Sequence, residues 1–523
     1  MSLTPNVELR ISMGTGINRR LGCLVVGALY FACSVASARS QSRTDDGGWY
    51  VSAGAIHRVT LKPTTKYWKF DHLAIDPVKA RLQMMQWKSE GISALEIFAP
   101  EEGGNSYGGL DAKDRFRLDP EVGTVADFKR LVALAHSLGL RVITFQNLGY
   151  SSTESPQFRR AEDALRMGKS TRQTEMFFWS KRADAPAPAQ GSTYFLVRPH
   201  LHGYKPEKSE HWQWSDRAQA YYWTRWPGKD ANGNPIHLPQ YNWTGDAWPV
   251  EASRVVRFWM NTGLDGMVLD AVNWYTGATW VKINRNITGV IASYGKEFTQ
   301  PEGGGGFDED PVAWIKEGGF TDVFEYGLGI WWEKDNHPLI SSVELAAPDL
   351  FEKALRQYHD RVVAFGGTLY VPVPRLDNES DQIFAEALLA TSGDMPCYCS
   401  SKPGITDPST GIPSLLKLKA AHPALYQNSL RRRIPTNDPQ IYAIERYAKN
   451  NSERLLLVFN FDRKVVNVSL SVGSINGARY VDIFSHIEEP VVGQMMSFSL
   501  EPHGCRIFQI EDSGLRAGAS AEK

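Results

Sequence analysis

The chain has 523 residues, with 57 Lys and Arg against 58 Asp and Glu and a formal net charge of −1. That length exceeds what one compact core usually holds, so one large domain with at least one satellite is expected. The balanced charge excludes electrostatic capture of nucleic acid or of an anionic membrane, and points to a neutral or small partner.

In chain order, the first feature is an export signal. Arg19 and Arg20 precede the apolar run Leu21–Ala36, and Ala36-Ser37-Ala38 is a small-x-small cleavage pattern. The run suits a signal peptide and is short for a membrane span. Residues 1–38 are therefore expected to be removed, leaving a secreted or periplasmic protein with no membrane attachment. Of the 5 cysteines, Cys397, Cys399 and Cys505 survive that cleavage. An odd number argues against a disulfide scaffold, and Cys397-Tyr398-Cys399 is too tightly spaced for a zinc knuckle, so buried free thiols are expected.

From about residue 48, strand-like and helix-like segments alternate. Trp49–Val59 is rich in β-formers, Lys79–Glu90 has helical spacing, and Ile92–Phe98 is a short apolar strand. Thr124–Ser137 predicts a helix with Phe128, Leu131, Val132 and Ala135 on one face, stopped at Gly139; Leu140–Phe145 is the next buried strand. The rhythm returns with Val250–Asn261 and Gly266–Asp270, then with Leu350–Phe365 and Thr368–Val373. Such alternation means parallel strands joined by crossover helices, and at this length a closed barrel is commoner than an open sheet. Residues 151–245 break the rhythm with a polar, Trp-rich stretch, read as a long insertion on one βα loop. After about residue 428 the helices stop, and Ile441–Tyr447, Arg454–Phe461, Val465–Leu470 and Ser497–Ile510 alternate as an antiparallel module. Residues 513–523 read as a disordered tail.

The chemistry is sought at strand ends. Gly266–Leu269 leads into Asp270, and Phe298–Pro301 leads into Glu302 and a Gly303–Gly306 loop with room for a substrate. Two carboxyl groups on neighbouring strand ends are what glycosidic bond cleavage with retention requires, one ionised as nucleophile and one protonated as acid. Singly, an acid at a strand end is more often a helix cap or ion-pair partner. The 16 Trp and 20 Tyr suit sugar faces, which stack on aromatic rings, although most of these rings belong in the core. Among them, Trp274 follows the Asp270 strand, and Trp331, on the expected sixth βα loop, is the candidate aromatic wall.

Taken together, these segments resemble the alpha-amylase family, glycoside hydrolase family 13. The resemblance rests on Gly108-Gly109-Leu110-Asp111, on Leu118-Asp119-Pro120 with Gly123-Thr124 and Asp127-Phe128, on Leu238–Trp243, and on Val255–Trp259 with Gly263–Gly266. Phe177–Ser180 and Tyr221–Trp223 are similar to the insertion of the oligo-1,6-glucosidase and trehalose synthase branch. The resemblance implies an α/β fold: a (β/α)8 barrel over residues 48–428, including the insertion, and a C-terminal β-sandwich over 429–512. It implies a retaining glycosidase or transglycosidase on α-linked glucan-like oligosaccharides or polysaccharides, with Asp270 as nucleophile, Glu302 as acid/base and Asp377 as the transition-state aspartate. For Asp377 a second register stays open, with Asn378 and Ser380 on the motif; the first is preferred because it keeps an acid close behind the strand.

Several positions depart from the family pattern. Phe145 stands for an Asp, Gly149 for an Asn, Tyr150 for a His, Val268 for the Arg two residues before the nucleophile, Leu376 for a His and Leu110 for a Tyr. Hydrogen bonds to charged groups contribute roughly 1–3 kcal/mol each, so losing several would cripple ordinary starch hydrolysis. Three outcomes stay open: a different sugar at this subsite, replacement contacts from Tyr150, Asn147, Gln146, Asn273 or Arg375, or a non-catalytic saccharide-binding relative. No cofactor is expected. Asp230–Asn234 has the look of a calcium loop without the full ligand set, and His200 with His202 lacks a third metal ligand.

Overall fold

Eight parallel strands follow one another in chain order around a nearly closed barrel. The computed structural model describes residues 47–62, 70–104, 109–186, 188, 211–224, 228–229, 235–236, 238–272, 284–295, 297–302, 310–324, 327–329, 337–399, 412–472 and 478–511. The expected signal segment, the calcium-like loop, the His200–His202 pair, the tetraglycine, Asn273, Trp274, Trp331 and the expected C-terminal tail lie outside the described residues.

The barrel strands are β1 (Ala55–Thr60), β2 (Ile92–Phe98), β3 (Arg141–Gln146), β4 (Gly266–Leu269), β5 (Phe298–Pro301), β6 (Asp322–Phe324), β7 (Thr368–Pro372) and β8 (Met395–Tyr398). They are hydrogen-bonded in the order β5-β4-β3-β2-β1-β8-β7-β6. The remaining seam, between β5 and β6, is bridged where Thr321 donates its N–H to the Thr299 carbonyl (3.2 Å) and Thr299 donates to Thr321 Oγ1 (2.8 Å).

Opposed residues of a parallel ladder share a face. The register sets Arg58 against Glu96, Phe98 against Phe145, Phe145 against Val268 and Val268 against Gln300. Arg58 reaches Tyr370 of β7, two strands away, so this row faces the barrel interior. The same register turns Gln146, opposite Leu269, to the outer side.

Around the barrel lie α1 (Pro77–Ser89), α2 (Val125–Ser137), α3 (Ala247–Met260), α4 (Glu379–Ser392) and α5 (Ile412–Ala421). Helix α2 starts in a capping box, Thr124 accepting from the Asp127 N–H while the Asp127 carboxylate accepts from Thr124, and buries Phe128, Leu131, Val132 and Ala135. The first strand starts later than its β-formers suggest: Trp49–Val51 is a 3-10 turn. Gly54 then lets the chain pass so close that a Cβ there would meet the carbonyls of Gly91 and Leu416 at 2.7 Å. The expected single helix Leu350–Phe365 is three pieces, Pro348–Ala354, a π-turn Leu355–His359, and Asp360–Ala364. Both Tyr358 and His359 in the π-turn are buried; the Tyr358 hydroxyl donates to the Phe324 carbonyl (2.9 Å), and His359 Nδ1 meets Asp394 (2.5 Å).

The described residues between β3 and α3 are more ordered than the polar composition of that stretch predicts. It forms a helix Pro156–Arg166 capped by Ser155, and a small antiparallel sheet of Trp179–Ser180, Ala220–Trp223 and Trp212–Ser215. Phe158, Phe177, Trp179 and Tyr222 pack against one another there. The apolar positions of those short strands build a local core that composition alone hides.

The C-terminal module has β9 (Leu430–Ile434), β10 (Ile441–Tyr447), β11 (Arg454–Asn460), β12 (Val466–Ser471), β13 (Arg479–Asp482), β14 (Glu488–Glu489), β15 (Val491–Val492), β16 (Met495–Leu500) and β17 (Cys505–Glu511). One sheet runs β9-β10-β11-β17-β13-β14 and the other β12-β16-β15. They enclose Ile441, Val458, Val468, Leu470, Met496 and Phe508 as a sandwich core. The expected strand Ser497–Ile510 is broken into two, with a turn at His503, whose φ is 51°. Arg431 ties sandwich to barrel through Glu352 (2.6 Å) and Asp360 (2.8 Å).

Candidate active site

Close packing of two strands sets the site. Gly266 opens β4 at φ +147°, and a Cβ there would lie 2.1 Å from the Phe298 carbonyl oxygen, so only glycine lets β4 run this near β5. The register Leu269↔Pro301 brings the next residues, Asp270 and Glu302, side by side at the carboxyl ends of the strands. Glu302 donates its N–H to the Leu269 carbonyl (2.9 Å) and accepts at its own carbonyl from Val272 (3.1 Å). Its carboxylate accepts from the Ala271 N–H (3.1 Å). Ala271 holds φ at 47°, a strained left-handed turn directly behind Asp270.

The two carboxyl groups hydrogen-bond each other. Burial pushes the Asp270 carboxyl well above the usual carboxylate range, and the charge of Glu302 and the bond to it push the same way; Arg58 and Arg115 oppose them. A carboxyl that keeps its proton beside a second carboxyl is the arrangement acid/base chemistry needs.

Arg58 and Arg115 are site residues that the motif reading missed. Arg58, buried inside the barrel, donates through Nε to Glu96 (2.6 Å) and through a terminal nitrogen to the Tyr370 hydroxyl (2.9 Å), and lies 4.5 Å over the Phe145 ring. Tyr370 in turn donates to the other oxygen of Glu96 (2.6 Å). Phe145 therefore fills its place with an aromatic face stacked on Phe98 (4.9 Å) and a cation above it. Arg115 pairs with Glu101 (3.4 Å) and donates to the Tyr150 carbonyl. The available signal was a charge at an inward position of an otherwise apolar strand, Arg58 in β1 and Glu96 in β2.

Asn147 and Tyr150 lie in the buried turn after β3. The Asn147 side chain donates to the Leu110 carbonyl (2.8 Å) and accepts from the N–H groups of Gly149 (2.7 Å) and Tyr150 (3.2 Å), so it shapes that turn. Val268, Leu376 and Leu110 are buried. Asn378 is the N-cap of α4, accepting from the Asp381 N–H, and Ser380 contacts His503 of the sandwich (3.0 Å). Asp377 stands just before that cap, exposed, on the same rim as Asp270 and Glu302; Arg375 is exposed beside it. The structure thus joins Asp270 to Glu302 directly and leaves Asp377 at the rim. Among the described residues, no cluster of three or more His, Cys, Asp or Glu is placed to hold a metal, and no helix is long and apolar enough to cross a membrane.

The described residues thus form a (β/α)8 barrel with two carboxyl residues on adjacent strand ends and a C-terminal β-sandwich. Residues 97–291 match the alpha-amylase catalytic domain, and residues 432–507 match the maltogenic amylase C-terminal domain. Over these residues the chain is similar to the alpha-amylase family, glycoside hydrolase family 13. The catalytic-domain match includes Asp270 and ends before Glu302. Among curated proteins, the chain is similar to an alpha-glucosidase of Pediococcus pentosaceus, 24% identical over 36% of this chain and 29% of that protein. It is also similar to a salivary alpha-glucosidase of Anopheles gambiae, 29% identical over 31% of this chain and 24% of that protein. The trehalose synthase/amylase TreS of Mycobacterium tuberculosis is 27% identical over 37% of this chain and 28% of that protein. The similarity thus spans about a quarter of the length of these relatives. In fold, the chain is similar to the alpha-amylase from H.orenii, with a TM-score of 0.63 and 14% identity over 87% of this chain and 99% of that one. For the trehalulose synthase MutB from Pseudomonas mesoacidophila the TM-score is 0.62, with 16% identity over 89% of this chain and 100% of that one.

Proposed function

We propose that this protein is a retaining glycoside hydrolase or transglycosidase acting on short α-linked glucosides, with Asp270 as nucleophile and Glu302 as acid/base. The observation that carries this reading is the direct pairing of the two carboxyl groups at the ends of β4 and β5. Retaining cleavage uses carboxyl groups about 5–5.5 Å apart, so a glycosidic oxygen must enter between the pair and break the bond that joins them. As the pair opens, the Asp270 proton passes to Glu302 and leaves Asp270 ionised. Glu302 then protonates the leaving oxygen as Asp270 attacks the anomeric carbon. Glu302 next takes a proton from the incoming water or sugar hydroxyl, whose oxygen attacks the anomeric carbon and releases Asp270. Relatives described as alpha-glucosidases and trehalose synthase support a small α-glucoside as substrate. The inward Phe145 and Val268 give an apolar wall where the family has charged groups, so the glucosyl unit at this subsite is held with fewer polar contacts than in the family. In this reading Asp377 stabilises the transition state, and the segment before Ala38 directs export.

A panel of aryl α-glycosides, disaccharides and oligosaccharides, assayed with wild type and Asp270→Asn, tests the proposal. Turnover that the substitution removes is expected; a panel with no such turnover sinks the reading. The second reading, a saccharide-binding relative without catalysis, is favoured by the same apolar wall. It predicts binding by calorimetry that survives Glu302→Gln, and trapping of a covalent glycosyl-enzyme excludes it.

A further inference from the structure

The Cys397-Tyr398-Cys399 motif is not used by this chemistry, yet the barrel places it on the catalytic rim. Cys397 lies on β8, and Cys399 follows the strand directly, two residues on and on the same inward face. Their sulfurs are 3.7 Å apart. Bond formation at about 2.05 Å needs an approach of only about 1.6 Å. Both thiols are free; Cys397 is buried, and Cys399 is partly open to solvent. The groups around them come from four strands: Arg58 from β1, Glu96 from β2, Tyr370 from β7, its hydroxyl 2.8 Å from Cys397 Sγ, and Glu302 behind β5.

We propose that Cys397 and Cys399 form a reactive dithiol that closes to an intramolecular disulfide by exchange with small-molecule disulfides. The two sulfurs are unequal. A hydrogen bond from Cys397 holds the Cys399 thiol below its ordinary range despite burial, with the Arg58 charge acting the same way, whereas burial pushes Cys397 well up. Cys399 is therefore the attacking sulfur and Cys397 the resolving one. The Cys399 thiolate attacks a small disulfide and releases one thiolate, leaving a mixed disulfide. That thiolate takes the Cys397 proton, the Cys397 sulfur attacks Cys399, and the second small thiolate leaves. The protein dithiol is oxidised and the small disulfide is reduced to two thiols. None of this depends on the glycosidase reading.

The test uses the folded, full-length protein and oxidised glutathione, followed by alkylation, digestion and mass spectrometry. The peptide holding both cysteines is expected two hydrogens lighter, unalkylated, and restored by dithiothreitol. Cys505, partly open to solvent like Cys399 but with a thiol that burial raises to about 11, serves as internal control and stays reduced and alkylatable. With an aromatic disulfide reagent, Cys399 is expected to react at least about tenfold faster than Cys505, the thiolate advantage being partly offset by lower nucleophilicity. In Cys397→Ser, the glutathione adduct on Cys399 is expected to persist. Wild type that stops at that adduct, or a Cys399 no faster than Cys505, overturns the proposal; the peptide mass of wild type needs no variant to fold.

Discussion

Asp270 and Glu302 share a hydrogen bond between their carboxyl groups, formed because Gly266 lets β4 press against Phe298 of β5. Burial and the neighbouring carboxyl hold the Asp270 proton well above the usual range, so the nucleophile ionises only as pH rises through that raised value. The acid limb of kcat/KM is accordingly expected above the pH of an ordinary Asp, near 3.9. With an aryl glycoside that needs no acid assistance, Glu302→Gln removes the opposing charge, and the limb should move to lower pH. A pH–rate profile of both proteins checks this, and an unmoved limb contradicts the pairing.

Stability must respond with the opposite sense to activity. Because the folded Asp270 pKa is raised, the native state binds more protons than the unfolded chain between the ordinary Asp range and that raised value. Stability therefore falls as pH rises through this window. Asp270→Asn removes the buried ionisable group and is expected to raise Tm by a few degrees at pH 7 while abolishing turnover. The gain should shrink at pH 4, where Asp270 is protonated anyway. Thermal melts at the two pH values decide it; an equal gain at both would assign the effect to packing.

Arg58 and Glu96 form an ion pair closed off inside the barrel. Removing one partner of such a pair leaves an uncompensated buried charge, at a cost of about 3–5 kcal/mol. Arg58→Met and Glu96→Leu are each expected to fall in that range by urea unfolding. The double variant should recover much of the loss, because apolar replacement of both partners is often near neutral. Additive losses would mean that the pair is held by packing rather than by charge.

The barrel was legible wherever apolar runs end in a turn. The α2 face of Phe128, Leu131, Val132 and Ala135 and the strand ends at Asp270 and Glu302 follow from short-range pattern alone. What escaped was decided by contacts distant in sequence. Arg58 meets Tyr370 across 312 positions, and a charge in β1 carries no local sign of where its partner lies. The π-turn at Leu355–His359 answers to Asp394 and Phe324, residues outside the window in which a helix is recognised. Asn147 offered the right chemistry for a sugar contact, yet its amide is engaged by the turn it sits in.

Lys419 supplies the last prediction. It lies wholly buried on α5, donating to the Asp394 carbonyl at the start of β8, while His359 holds the Asp394 carboxylate (2.5 Å). Burial lowers the Lys419 pKa to about 7, although the charge of Asp394 works against the shift. An unfolded Lys titrates near 10.4, so between about pH 7 and 10 the unfolded chain carries a proton that the native chain lacks. Through this group, stability should rise with pH across that window, by up to about 1.4 kcal/mol per pH unit. Lys419→Met keeps the aliphatic volume and removes the titration, so its unfolding free energy should climb less steeply from pH 7 to pH 10. Urea titrations at pH 7, 8.5 and 10 compare the two slopes. Equal slopes would mean that Lys419 keeps its proton in the folded protein, held by Asp394 more strongly than burial opposes it.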